Sequence, residues 1–136
     1  MKKITFILTA IMITALLALT GCNVSFSTAN VKGAHMTSAM GEDGKPVDTV
    51  TSYAPDAKLV AVAELRNAPD DTKIRFIWYQ GTEKVYEYPL DTQGKSEVYI
   101  SCTLTPNEAL PAGEYKVEIY VDEREKPDAT VNFTVQ

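Results

Sequence analysis

From residue 58 onward, apolar and polar residues alternate along the chain, which is the period of a β-strand with one buried face. Residues 58–65 are apolar on both faces, as in an interior strand, and residues 72–79 place Ile74, Phe76 and Trp78 on one face. Further strands are predicted at residues 31–40, 49–53, 84–90, 96–105, 114–121 and 129–135. No segment between them fits a helix of ordinary length. The pattern predicts an all-β chain of about seven short strands.

Short strands with turns at regular spacing favour two antiparallel sheets that pack face to face. Trp78 in the third main strand, and Tyr115 after the corner Leu110-Pro111-Ala112-Gly113, resemble the core Trp and the tyrosine corner of immunoglobulin-like (Ig-like) domains. Antibody domains have a cysteine two residues past that Tyr, where this chain has Val117. We therefore expect an Ig-like β-sandwich that lacks the inter-sheet disulfide and has Trp78, Tyr115 and Val117 in its core.

Residues 53–136 also resemble an Ig-like module of bacterial envelope proteins and lipoproteins. The resemblance rests on the order of several short motifs, none specific alone: Leu65-x-Asn67-Ala68-Pro69, Trp78-Tyr79, Leu110-Pro111-x-Gly113-x-Tyr115 and the closing strand at residues 129–135. It implies the sandwich fold and brings no catalytic residues with it.

The first 22 residues have the organisation of an export signal. Lys2-Lys3 precedes an uncharged apolar stretch at residues 4–19, and a small-residue site follows. The stretch is short for a bilayer span, which needs roughly 20 apolar residues. An uncleaved anchor and an ordinary secretory signal remain alternatives.

Leu19-Thr20-Gly21-Cys22 resembles the bacterial lipobox. The resemblance implies that the Cys22 thiol receives a diacylglycerol, that the chain is cut before Cys22, and that the new amino terminus is acylated. No other cofactor is expected. The predicted organisation is a signal peptide at residues 1–21, a flexible tether at residues 22–30 and the Ig-like domain at residues 31–136.

The charge of the chain limits its partners. The net charge of −5 argues against a nucleic-acid partner, and removal of residues 1–21 takes away two lysines and leaves −7. Such a body is repelled by an anionic lipid surface, so the lipid on Cys22 must hold it there. We expect attachment to the extracytoplasmic face of a bacterial cell membrane or outer membrane.

The residues available for catalysis and metal binding are few. The chain has one histidine, His35, and two cysteines, of which Cys102 is expected to be a buried, inert thiol without a disulfide partner. Neither a nucleophile with its base nor a transition-metal site can be assembled from this set, and we predict no catalytic and no metal-binding residues. The carboxylates of residues 122–128 are interleaved with basic residues, which indicates a solvated loop rather than a calcium site.

A tyrosine-rich surface is the remaining candidate for function. If the hairpin after Trp78 pairs Tyr79 with Lys84 and continues in register, a patch forms on the face opposite Trp78. Its predicted members are Arg75, Ile77, Tyr79, Tyr86, Tyr88 and Tyr120, bordered by Lys116 and Glu118.

Aromatic patches with charged rims are typical of protein interfaces and also stack on sugars, although tyrosine is common in strands for reasons of packing alone. We expect a non-catalytic module that binds an envelope protein, or alternatively a carbohydrate-binding or adhesive module. An enzyme that uses a carboxylate pair is a third hypothesis.

Overall fold

The computed structural model describes residues 27–136, so the predicted export signal, the lipobox and Cys22 lie outside the described residues. The strands of the described part follow the alternating pattern of the sequence. Eight strands are present in the described part: β1 (Asn30–Thr37), β2 (Ser52–Tyr53), β3 (Leu59–Arg66), β4 (Lys73–Gln80), β5 (Glu83–Asp91), β6 (Val98–Leu104), β7 (Gly113–Val121) and β8 (Ala129–Val135). No helix within these residues is long and apolar enough to cross a bilayer.

The strands form two sheets of unequal width. One has three strands in the order β1-β3-β6, and the other has five in the order β2-β8-β7-β4-β5. All neighbours are antiparallel except β2, which runs parallel to β8. The predicted all-β, Ig-like sandwich is confirmed, and β5 lies beside β4 in the position of an additional edge strand.

The core lies between the sheets and is built from large rings on one side and small side chains on the other. The ring of Phe133 stacks on Tyr115 at 5.6 Å and meets Tyr53 and Trp78 edge-on at 5.7 and 6.0 Å between centroids. Edge-on and offset contacts of this kind stabilise beyond the area that they bury. The other sheet contributes mainly small or aliphatic buried residues, namely Leu59, Ala61, Ala63, Leu65, Ile100 and Cys102.

The corner before β7 has the hydrogen bond typical of Ig-like domains. The Tyr115 hydroxyl donates to the Pro111 carbonyl at 2.7 Å, four residues upstream. Trp78, Tyr115 and Val117 are all buried, and Cys102 is the free cysteine of the described residues. Packing of rings and aliphatic side chains therefore replaces the disulfide of antibody domains.

The amino-terminal end of the described chain is fixed to the loop between β7 and β8. Arg124 donates to the carbonyls of Ser27 and Ala29 at 3.0 and 2.8 Å, and Asp128 accepts from the same guanidinium with both carboxylate oxygens at 2.6 Å. Ala29 is only 2% exposed. Residues 27–30, which the sequence assigns to the tether, thus contact the folded domain.

We expect Tyr115→Phe to lower the free energy of unfolding by about 1 kcal/mol, because it removes the partly buried hydrogen bond to the Pro111 carbonyl but keeps the ring stacked on Phe133. Urea denaturation measures this change. Tyr88→Phe is the matched control, since the exposed Tyr88 hydroxyl makes no hydrogen bond within the described residues. Equal losses in the two variants would contradict a specific role for the corner.

Candidate functional site

The hairpin of β4 and β5 contains a β-bulge that decides where its tyrosines point. Its loop is two residues long, with Gly81 at a φ of +58°, and Gln80 pairs with Glu83. Tyr79 pairs with Lys84 as predicted, but the next pair is Trp78 with Tyr86, so one residue of β5 is extra. An extra residue moves every following side chain to the opposite face of the strand.

The predicted patch is therefore divided between two faces, and two of its expected pairs do not form. Ile77 pairs with Glu87 instead of Tyr86, and Arg75 pairs with Pro89 instead of Tyr88. Tyr86 and Tyr88 pair with Trp78 and Phe76, and so lie on the same side of the sheet as the core. The assumption of an uninterrupted register was wrong because it left out the bulge at Val85.

The four other patch residues remain on the outer face of the five-stranded sheet, where they form a paired network. Across β4 and β7, Arg75 pairs with Tyr120, Ile77 with Glu118 and Tyr79 with Lys116. The Arg75 guanidinium lies 5.0 Å from the centre of the Tyr120 ring. The Lys116 ammonium lies 4.6 Å from the centre of the Tyr79 ring. Both are cation–π contacts within the usual range.

Glu118 is the centre of this outer network. Its carboxylate accepts from the Lys116 ammonium at 2.9 Å and from the Tyr120 hydroxyl at 2.8 Å. Burial alone raises the pKa of the Glu118 carboxyl, but these hydrogen bonds and one from Tyr79 outweigh it and leave the pKa below its ordinary value. The hydrogen bond between the Tyr120 hydroxyl and Glu118, together with burial, raises the pKa of Tyr120 to about 12.

These contacts leave little free binding capacity on the outer face. Ile77 is 6% exposed, and the charged groups beside it are already paired. A partner would have to break existing ion pairs to reach them, and such breakage costs free energy. The outer face is therefore a self-contained polar layer.

The exposed aromatic surface lies instead on β5, because the five-stranded sheet is wider than the sheet that covers it. Both β5 and β6 are edge strands. Tyr86 and Tyr88 remain 41% and 39% exposed, although they point toward the side of the core, and Val85 is 46% exposed. We call these three residues the β5 shelf.

An open cleft of about 770 Å³ adjoins the β5 shelf. Its lining comes from β5, from the end of β6 and from the segment that connects β6 to β7. The lining residues are Val85, Tyr86, Thr103, Leu104, Thr105, Pro106, Asn107, Glu108, Ala109, Leu110 and Pro111. Seven of the eleven lining residues are apolar or aromatic, one is a carboxylate and none is basic.

The cleft lies at the end of the sandwich opposite Ser27. The Gly81 amide, at the tip of the β4–β5 hairpin, donates to the Glu114 carbonyl at the start of β7 at 3.0 Å. Ser27 is held by Arg124, which follows the end of β7. Because β7 has nine residues, roughly 30 Å separates the two ends.

The described residues offer little to covalent chemistry. His35 Nδ1 lies 2.7 Å from the Gly33 carbonyl, and Nε2 has no hydrogen-bond partner within the described residues. Burial raises the pKa of the Cys102 thiol, an effect that the neighbouring Trp78 indole partly offsets, so the reactive thiolate is disfavoured. Within residues 27–136, no three His, Cys, Asp or Glu side chains are grouped so that they could hold a metal ion.

Sequence reasoning missed Val85 and the segment of residues 103–111 as parts of a surface site. The alternation of apolar residues in the two strands did indicate the bulge at Val85. Tyr86, Tyr88 and Leu90 come into phase with Ile74, Phe76 and Trp78 only if one residue is inserted after the turn. No comparable signal marks the cleft, since it depends on how far one sheet extends beyond the other.

Without the bulge, Ile77, Tyr86 and Tyr88 would share one outer patch, and their substitutions should lower the free energy of unfolding by similar amounts. With the bulge, the losses should differ. Ile77→Ala should lower the free energy of unfolding by about 2 kcal/mol or more, as for other buried aliphatic truncations. Tyr86→Ala and Tyr88→Ala should each cost less than about 1 kcal/mol, because both residues lie on an edge strand and remain 41% and 39% exposed. Chemical denaturation of the three variants checks this order, and a cost for Tyr86→Ala equal to that for Ile77→Ala would contradict it.

No protein-family model matches the sequence, and no curated protein matches it. Among solved structures, the chain is similar to the alkylpurine DNA glycosylase of Pseudomonas fluorescens bound to DNA containing an abasic site analogue, with 10% identity and a TM-score of 0.55. The match covers 88% of this chain and 33% of the glycosylase. The chain therefore spans about a third of that protein's length, and the likeness concerns the fold alone.

A CARDB domain from Pyrococcus furiosus, in complex with di-metal ions, matches with 13% identity and a TM-score of 0.48, over 85% of this chain and 96% of that domain. Its solution structure matches with a TM-score of 0.41. These comparisons assign no activity, ligand or partner to this chain.

Proposed function

We propose that this protein is a lipid-anchored, extracytoplasmic Ig-like module of the bacterial cell envelope, and that it binds a partner without catalysing a reaction. The observation that carries the proposal is the order of the amino-terminal residues. A basic pair, an uncharged apolar stretch and the tetrapeptide Leu19-Thr20-Gly21-Cys22 come directly before the sandwich.

Lipid attachment fits the charge of the domain. A chain that begins at Cys22 has a net charge of −7, which disfavours direct binding to an anionic membrane. One acyl chain gives only marginal membrane binding, whereas several chains anchor a protein durably. Acylation at Cys22 would supply those chains on the extracytoplasmic side of the cell membrane or the outer membrane.

The position of the cleft is suited to an anchored binding module. Ser27 is fixed at one end of the sandwich by Arg124, and the cleft with the β5 shelf lies at the other end. A chain attached through Cys22 would present this surface away from the membrane. The partner we favour is another protein of the envelope, and the β5 shelf replaces the divided patch as its binding surface.

The intact mass of the full-length protein, extracted from bacterial membranes with detergent, tests the anchor. We expect a chain that begins at Cys22 and carries added acyl mass. Cys22→Ala should abolish both the cleavage and the added mass. Cys102→Ala is the matched control, because it removes the other cysteine and should leave the acyl mass in place.

An unmodified or uncleaved native chain would overturn the proposal, since Cys22 would then be an ordinary residue of a secreted or signal-anchored protein. Recovery of the Cys22→Ala variant in the soluble fraction, with the Cys102→Ala variant still in the membrane fraction, would support it.

A carbohydrate-binding module is the second candidate, favoured by the arrangement of Tyr86 and Tyr88. The two rings are exposed on one side of β5, about 7 Å apart along the strand, and aromatic rings so placed can stack on sugars. A glycan array probed with the native chain should then give a signal that Tyr86→Ala and Tyr88→Ala remove and that Tyr79→Ala retains. The absence of any signal from the native chain would contradict this candidate.

A further inference from the structure

We propose that the cleft and the adjoining edge of β5 receive an extended segment of a partner protein, in which basic side chains alternate with apolar ones. The segment would lie along residues 83–88 and place an apolar side chain in the cleft. This inference rests on the proposed binding function and names the partner for that site. It does not depend on the lipid anchor.

The first support is the free backbone edge of β5. The strand pairs with β4 on one side, and no strand of residues 27–136 pairs with its other side. No backbone group of residues 83–90 takes part in the backbone hydrogen bonds of turns and loops within the described chain. An extended peptide satisfies such groups by adding a strand to the sheet.

The extent of the usable edge follows from Pro89. Proline has no N–H to donate to a neighbouring strand, and it commonly protects sheet edges. It therefore limits strand addition to the part of β5 between the hairpin tip and Tyr88. That part includes the bulge at Val85 and lies beside the cleft.

The second support is the apolar lining of the cleft. Val85 and Tyr86 form one wall, and the segment that contains Leu104, Pro106 and Leu110 forms the other. In strand addition, the backbone gives affinity, and pockets for alternate side chains give specificity. The cleft provides such a pocket next to the free edge.

The third support is the charge around the cleft. Glu83 and Glu108 are exposed, and neither forms a salt bridge within residues 27–136. Lys84, the nearby basic residue of β5, is bound to Glu87 at 2.8 Å. Free carboxylates without competing cations favour a basic segment, through both attraction and selection of partners.

The same charge disfavours a second copy of this chain as the occupant. The full sequence has a net charge of −5, and pairing two β5 edges would bring the unpaired Glu83 and Glu108 of both copies into one interface. Like charges opposed in this way weaken association.

The test uses the full-length chain in detergent and three fluorescently labelled peptides. The first peptide alternates lysine with valine, and the second alternates glutamate with valine. The third has the same composition as the first, but its lysines and its valines stand in separate blocks. We expect the alternating lysine peptide to bind at least about tenfold more tightly than either of the others in fluorescence anisotropy, a difference of about 1.4 kcal/mol. Amide hydrogen exchange should slow in residues 83–88 and 103–111.

A charge reversal with a matched control identifies the contact. Glu108→Lys should weaken the binding of the alternating lysine peptide by at least about tenfold and strengthen the binding of the glutamate peptide. Glu123→Lys makes the same change on an exposed residue at the opposite end of the sandwich, and it should leave both affinities within about twofold. Equal melting temperatures of the two variants exclude unfolding as the cause.

Several results would overturn the inference. One is equal binding of the lysine and glutamate peptides, and another is the absence of binding at about 1 mM peptide. A third is slowed amide hydrogen exchange outside residues 83–88 and 103–111. Concentration-dependent dimerisation that protects β5 would assign the edge to a second copy, and a glycan signal that requires Tyr86 would assign it to a sugar. An acylated Cys22 combined with any of these results would leave the anchor intact and remove only the peptide site.

Discussion

The packing of Phe133 against three other rings is the contact on which the sandwich depends. It joins β2, β4, β7 and β8 of the five-stranded sheet into one continuous aromatic layer on the core side. Tyr53 extends this layer to the opposite sheet, because its hydroxyl donates to the Thr37 carbonyl of β1 at 2.6 Å. With the core held in this way, the edge strand β5 contributes little to it and remains available at the surface.

The sequence predicted the fold because the fold depends on a local rule. The two-residue alternation of apolar side chains indicates which face of each strand is buried, and the facing of Trp78 and Val117 followed from it. The register of the β4–β5 hairpin was harder to predict. Uninterrupted pairing from the turn places Tyr86 beside Ile77, whereas the alternation of apolar residues places it beside Trp78. The structure satisfies both with a bulge, which keeps the pairing of Tyr79 with Lys84 next to the turn and places Tyr86 on the core side of the sheet.

The candidate site was less accessible to sequence reasoning, because it depends on contacts between distant segments. The cleft exists only where β5 extends beyond β6, and no local pattern gives the relative widths of two sheets. The contact between Arg124 and Ser27 joins residues 97 positions apart. Arg124 belongs to a loop whose mixed charges predicted simple solvation, whereas its guanidinium is bound to Asp128 and to two backbone carbonyls.

The docking of Ser27 onto the domain restricts the volume that an anchored chain can explore. Between a lipid on Cys22 and the fixed Ser27 there are only four residues, 23–26, and five peptide steps span at most about 18 Å. The domain would therefore stay in a thin layer beside the bilayer, where its effective concentration toward other membrane-bound proteins is high. Under that confinement, an interaction with a modest intrinsic affinity would be sufficient to keep two membrane-attached proteins together.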